Sequence, residues 1–176
     1  MNEANNTATV NDNYNSIPTS LTSNTSVVNL IDGLAILKSA DKKNWSDGYL
    51  TYTITVSNQT NSAYENSVIT DVIDTTLVEF VDQTVVINEK SATSSEYIYN
   101  NDTHTLTINL STVEANTVST VKFSVKKKYN GSFILKNIAN VYHDNILVSK
   151  SNVVTVLIRP EKYIMNNYCN TPYWRG

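Results

Sequence analysis

A lysine, an aspartate and two asparagines occupy positions where strand alternation turns them toward apolar neighbours. Lys38 shares a face with Leu34 and Ile36, because successive side chains of a strand point to opposite sides. Asp71 falls with Ile69 and Ile73, and Asn137 with Phe133, Leu135, Ala139 and Val141. Asn152 falls with Val154 and Val156. If these faces line one core, an amine, a carboxyl and a carboxamide meet out of water. Burial then pushes the lysine toward a neutral, nucleophilic amine and the aspartate toward its protonated form, which polarises an amide. Asn137 is the preferred amide and Asn152 the second choice. The plainer alternative has the Lys38 stem running along an edge strand with its ammonium in water. In that reading Asp71 caps a turn and the asparagines satisfy backbone groups.

No other chemistry is legible. His104 and His143 stand alone, without Cys or carboxylates at metal-ligand spacing. There is no G-x-S-x-G, no phosphate loop and no H-E-x-x-H, and the carboxylates are scattered. The expectation is a protein that is not an enzyme and holds neither metal nor cofactor. Charged residues make up 16 % of the 176 positions and the net charge is −3, so neither a nucleic-acid footprint nor an acidic tail is present. The run Lys126, Lys127, Lys128 is expected at the solvated end of a strand. No stretch reaches the length of a membrane span. The first thirty positions are polar and show no secretory pattern. The single cysteine, Cys169, excludes an internal disulfide framework. It is either idle or joins chains through an intermolecular disulfide.

The elements that must position these groups are strands. Thr, Val, Ile and Tyr are frequent, Asn and Ser fill the gaps between them, and Gly and Pro are few. Residues 49–56 alternate, with Leu50, Tyr52, Ile54 and Val56 on one face and threonines on the other. Further strands are expected over 68–73, 77–81, 84–88, 97–99, 105–110 and 117–126. In the last of these Val121, Phe123 and Val125 face inward. Residues 133–142 and 152–158 are expected to form a closing hairpin, and Pro160 ends the last strand because it cannot donate to a ladder. No segment has helical periodicity. Eight or nine short strands with regular turn signals predict an all-β, immunoglobulin-like sandwich over residues 33–158. An N-terminal arm, 1–32, precedes it and an aromatic tail, 159–176, follows.

The arm repeats the closing hairpin. Asn6, Ala8 and Val10 match Asn137, Ala139 and Val141, and after a loop Asn24 and Val28 match Asn152 and Val156. A second closing hairpin in front of the domain has nothing of its own to close. That is what an element completing a neighbour looks like. The competing reading of so Asn-, Ser- and Thr-rich a segment is a disordered leader or a truncated repeat.

Two stretches carry a family resemblance. Leu37-Lys38-Ser39-Ala40-Asp41-Lys42, followed by Asp47-Gly48-Tyr49-Leu50-Thr51-Tyr52-Thr53-Ile54-Thr55-Val56-Ser57-Asn58, resembles the opening of the bacterial conserved-repeat family known as domain of unknown function 11. Val68-Ile69-Thr70-Asp71-Val72-Ile73 is similar to its next element without the proline, and the closing N-x-A-x-V and S-N-x-V elements are both present. The resemblance covers residues 34–158. It implies an extracellular surface protein, adhesin or stalk repeat, with appendages of clostridial spores among the possibilities. Spore-coat proteins are made in the mother cell and need no export signal, which fits the polar N-terminus. The Lys-rich, Arg-poor composition fits an AT-rich genome. Related surface sandwiches use a lysine, an aspartate and an asparagine to form an intramolecular isopeptide bond, which places Lys38, Asp71 and Asn137 or Asn152 in that role.

The functional expectation is therefore a structural subunit that polymerises with its own kind through the arm on a spore surface, alone or with other appendage or coat proteins. It binds neither nucleic acid nor membrane in this reading. The alternative is a monomeric adhesin stalk or ligand-binding module. A carbohydrate-binding domain would need exposed coplanar aromatics; Trp45 and Trp174 are the only tryptophans, and Trp45 is expected to pack over a sandwich end.

Overall fold

Alternation governs residues 49–58 and 118–126 throughout in the computed structural model, which describes residues 2–14, 17–23, 26–30 and 33–161. The arm contributes β1 (Asn2–Asn6), β2 (Thr9–Tyr14), β3 (Ile17–Thr22) and β4 (Ser26–Leu30). The domain follows with β5 (Leu34–Ala40), β6 (Asn44–Trp45), β7 (Tyr49–Asn58), β8 (Tyr64–Val72), β9 (Val78–Phe80), β10 (Val86–Ile87) and β11 (Lys90–Ser91). It continues through β12 (Tyr97–Asn100), β13 (Thr105–Val113), β14 (Val118–Lys127), β15 (Phe133–Asn137), β16 (Ala139–His143), β17 (Ile146–Lys150) and β18 (Val154–Ile158). No helix occurs among the described residues.

Two main sheets enclose the core. One runs β11-β10-β14-β7-β5, with β9 also on β14, and the other runs β12-β13-β8-β16-β17. Leu50, Tyr52, Ile54 and Val56 of β7 are buried, as are Val121, Phe123 and Val125 of β14. Ile69 of β8, Leu106 and Ile108 of β13 and Val141 of β16 meet them from the opposite sheet. The intervening threonines of β7 lie on the half-buried outer face. A small third sheet runs β15-β18-β6, and β6 pairs with β18 in parallel.

Trp45 lies in β6, fully buried, with its indole N–H donating to the carbonyls of Asp47 (3.0 Å) and Gly48 (3.2 Å). It is therefore part of the core and offers no platform to a sugar. Trp45→Ala is expected to cost about 3–5 kcal/mol, read as a lower denaturation midpoint at an unchanged m-value.

Several details differ from the sequence reading. Residues 133–142 are two strands, because the chain leaves the third sheet at Ile138 and enters the β8 sheet at Ala139. The Ala139 N–H is taken there by Ser151 Oγ (3.0 Å), while the Ser151 N–H returns to the Ala139 carbonyl (2.8 Å). Phe133 opens β15 at the sandwich end and is 39 % exposed, outside the core face of Leu135. Only Val86–Ile87 of 84–88 is strand, since Gln83, Asn88 and Glu89 adopt positive φ and bend the chain on both sides. Lys127 is not solvated: its side chain is mostly buried and its amine donates to the Ser46 carbonyl.

In the arm, β1 pairs with β4 and β2 with β3, and among the described residues no arm strand pairs with the sandwich. Gly33 joins the two at φ +138°, where a Cβ would come within 3.2 Å of Val148 Cγ1. Both the dihedral and the close approach favour glycine at the junction. Asn24 and Cys169 lie outside the described residues, as does Trp174.

Candidate functional site

Lys38, Asp71 and Asn137 come from three strands that neighbour one another only in the folded chain. β5 pairs with β7 and carries Lys38 inward at the level of Ile54. β8 carries Asp71 opposite Leu106 on one side and Ala139 on the other. β15 ends at Asn137, the last residue before the chain changes sheets. The alternation that buries Leu34 and Ile36 buries Lys38 to 2 % exposure, and that of Ile69 and Ile73 buries Asp71 completely. Asn137 retains 6 % exposure.

The Lys38 amine donates both to Asp71 Oδ2 and to Asn137 Oδ1. Asn137 Nδ2 in turn donates to the Val72 carbonyl at 3.0 Å, which fixes the orientation of its amide. The rings of Tyr52 and Phe123 cover the amine, with centroids 4.3 and 4.9 Å from Nζ. They pack on each other at 5.4 Å. These two aromatics were legible as core residues; their place over the lysine was not, because it depends on how β7 and β14 face β5.

The electrostatics favour a neutral pair. Burial pushes the Lys38 amine below its ordinary value, more than the attraction of Asp71 raises it. Burial likewise pushes the Asp71 carboxyl up, more than Lys38 and Asn137 hold it down. Asp71 Oδ1 and the Tyr52 hydroxyl are buried without a hydrogen-bond partner. An unpaired oxygen costs more on an ionised carboxylate than on a neutral acid. Burial thus moves the amine and the carboxyl toward their neutral forms, beside a carboxamide and sealed from water. That set can exchange an amide nitrogen.

Asn152 does not join the cluster. It lies before β18, exposed, in a stretch that leaves the ladder. Its Oδ1 accepts the Lys38 N–H and its Nδ2 donates to the Lys38 carbonyl, each at 3.0 Å. Its amide acts as a substitute strand against β5 at the lysine. Nothing in the sequence pattern distinguishes that role from a core amide, since the parity of 152, 154 and 156 is the same for both. Asn152→Ala is expected to cost about 1–3 kcal/mol, as two backbone groups lose their partners, measured by chemical denaturation.

The remaining candidates stay apart. His104 is an exposed turn residue with φ 54°, and His143 stacks edge-on to Tyr64 at 4.9 Å. Among the described residues no group of three or more His, Cys, Asp or Glu is placed to hold a metal ion. Ala8 and Val10 of the arm are exposed, Val10 at 64 %. Asn6 and Val28 lie within β1 and β4.

No family model matches the chain, and no curated protein matches it in sequence. Solved structures do share its fold. The major pilin subunit BcpA of Bacillus cereus superposes with a TM-score of 0.50 at 14 % identity, over 71 % of this chain and 40 % of that one. The major pilin SpaD of Corynebacterium diphtheriae gives 0.50 at 24 %, over 69 % and 35 %. The C-terminal domain of the Streptococcus agalactiae antigen I/II polypeptide BspA gives 0.53 at 15 %, over 89 % and 59 %. The fold is an immunoglobulin-like β-sandwich. The chain spans 35–59 % of the length of these structures, and at such identities the likeness concerns the fold alone.

Proposed function

We propose that the chain is a non-enzymatic structural subunit of a bacterial surface fibre, of the spore-appendage kind, that assembles by docking its N-terminal arm on a neighbouring subunit. In this reading its sandwich is locked by an isopeptide bond between Lys38 and Asn137. The sealed contact of Lys38, Asp71 and Asn137 carries the proposal. The lone pair of Lys38 Nζ adds to Asn137 Cγ while Asp71 gives its proton to the amide oxygen. The tetrahedral intermediate then collapses: an amine proton passes through Asp71 to Nδ2, and one ammonia leaves. A Nζ–Cγ amide forms, the acid is regenerated, and no co-reactant is consumed.

The bond suits a fibre. β5 follows the arm directly, so tension entering through the arm reaches Lys38 first and passes to Asn137 near the end of the domain. The intervening sheets are bypassed. The pilin and adhesin folds support the surface location, while the spore setting rests on the motif resemblance to domain of unknown function 11 alone, since no family model matches the chain. Head-to-tail docking of an arm is a heterologous contact, which builds open filaments unless the rotation closes.

A second reading, a monomeric adhesin stalk or ligand-binding module, draws on an open groove beside β12, lined by Phe80, Asp82, Tyr97, Ile98 and Tyr99. Size-exclusion chromatography with negative-stain imaging of the purified chain separates the two. Filaments are expected; a strictly monomeric chain would reject assembly and favour the second reading.

A further inference from the structure

The arm copies the closing hairpin in three dimensions as well as in sequence. In the domain, β15 pairs with β18 from Phe133↔Ile158 to Asn137↔Val154, and in the arm β1 pairs with β4 from Asn2↔Leu30 to Asn6↔Ser26, pair for pair. Both ladders then break at the residue after the asparagine. They resume after the same irregular step: Ala139 N–H to Ser151 Oγ and Ser151 N–H to the Ala139 carbonyl in one, Ala8 N–H to Ser23 Oγ and Ser23 N–H to the Ala8 carbonyl in the other. Beyond the break Asn140↔Lys150 and Val141↔Ser149 correspond to Thr9↔Thr22 and Val10↔Leu21.

The surroundings are what differ. β16 is hydrogen-bonded to β8 and β18 to β6, whereas among the described residues β2 pairs with β3 alone and β4 with β1 alone. Ala139 and Val141 are wholly buried, while Ala8 and Val10, their counterparts, are exposed. In the domain the split register lets one hairpin serve two sheets at once. Among the described residues the arm's copy serves neither.

We infer that the arm is a preformed closing hairpin for another sandwich of this same build, one whose own closing position is vacant. β2 takes the place of β16 beside that unit's β8-like strand, burying Ala8 and Val10. β1 and β4 take the places of β15 and β18, and Asn6 occupies the register of Asn137 next to the partner's buried lysine and aspartate. The inference rests on the arm being the assembly element and specifies what it completes: since each copy closes its own sandwich, a neighbouring copy accepts the arm where its own closing hairpin has let go, as an open sandwich rather than at an exposed sheet edge.

The test places residues 33–131 directly before Met1 of the full chain, so that Asn2 follows where Phe133 would. A parallel chain with residues 33–158 in front, closed by its own hairpin, gives the reference protection. The added unit is expected to resist proteolysis like the reference and, in the same unit, to lose one ammonia. Asn6→Ala in that chain is expected to abolish the loss of ammonia and leave the unit folded. Digestion of the added unit beside an intact resident sandwich would overturn the inference. If the added unit is protected but neither unit loses ammonia, the arm's role stands and the isopeptide reading falls.

Discussion

The purified chain is expected to weigh one ammonia less than its sequence, with Lys38 and Asn137 recovered in one branched peptide. Lys38, Asp71 and Asn137 are sealed in the core in hydrogen-bond contact, and burial moves the amine and the acid toward their neutral forms. Asp71→Asn keeps the shape of the side chain but removes the proton carrier, so it is expected to fold and to retain the full mass. The bond would close a loop spanning 99 positions. By the chain-entropy argument used for disulfides, a closure of that size stabilises by about 4–5 kcal/mol, and Asp71→Asn should lose most of it in chemical denaturation. Lys38→Ala, which leaves the buried Asp71 and Asn137 oxygens without their donor, is expected to cost about 1–3 kcal/mol by that route alone. Full sequence mass, with the two residues in separate peptides, would reduce the site to a buried pair of structural value only.

Deleting residues 1–32 is expected to abolish filaments in negative stain while leaving a folded, monomeric sandwich. The arm strands pair only with one another among the described residues, so their removal takes no ladder partner from the domain. Assembly should disappear while the thermal midpoint of the sandwich stays close to that of the intact chain. Filaments that persist without the arm would sink docking through it and direct attention to the exposed edges, such as β17 with Ile146.

The polarity of each face was legible wherever a strand ran regularly. Leu50, Tyr52, Ile54 and Val56, and Val121, Phe123 and Val125, are buried as the period of two requires. The same rule placed Lys38 and Asp71 inward despite their charge. It failed where a strand begins: at Phe133, the first residue of β15, and at Asn152, which lies in the step before β18. Alternation describes a continuous strand, and both residues sit where continuity stops.

The duplicated hairpin was also visible in the sequence, through Asn6, Ala8 and Val10 against Asn137, Ala139 and Val141. The break in its register was not. That break depends on a serine hydroxyl capturing the Ala N–H in each copy, and a serine in a turn has too many other uses to signal it.

By itself, the sequence determined the all-β class, the faces of the long strands, the shared parity of Lys38 and Asp71 with apolar neighbours, and the existence of the copied hairpin. These are local properties, since side-chain parity along a strand needs no knowledge of its neighbours. Only the tertiary structure decided that Asn137 meets the lysine while Asn152 holds the lysine's backbone. The choice between two amides of equal parity is made by which sheet each flanking strand joins, and that is set by pairings between residues far apart in the chain.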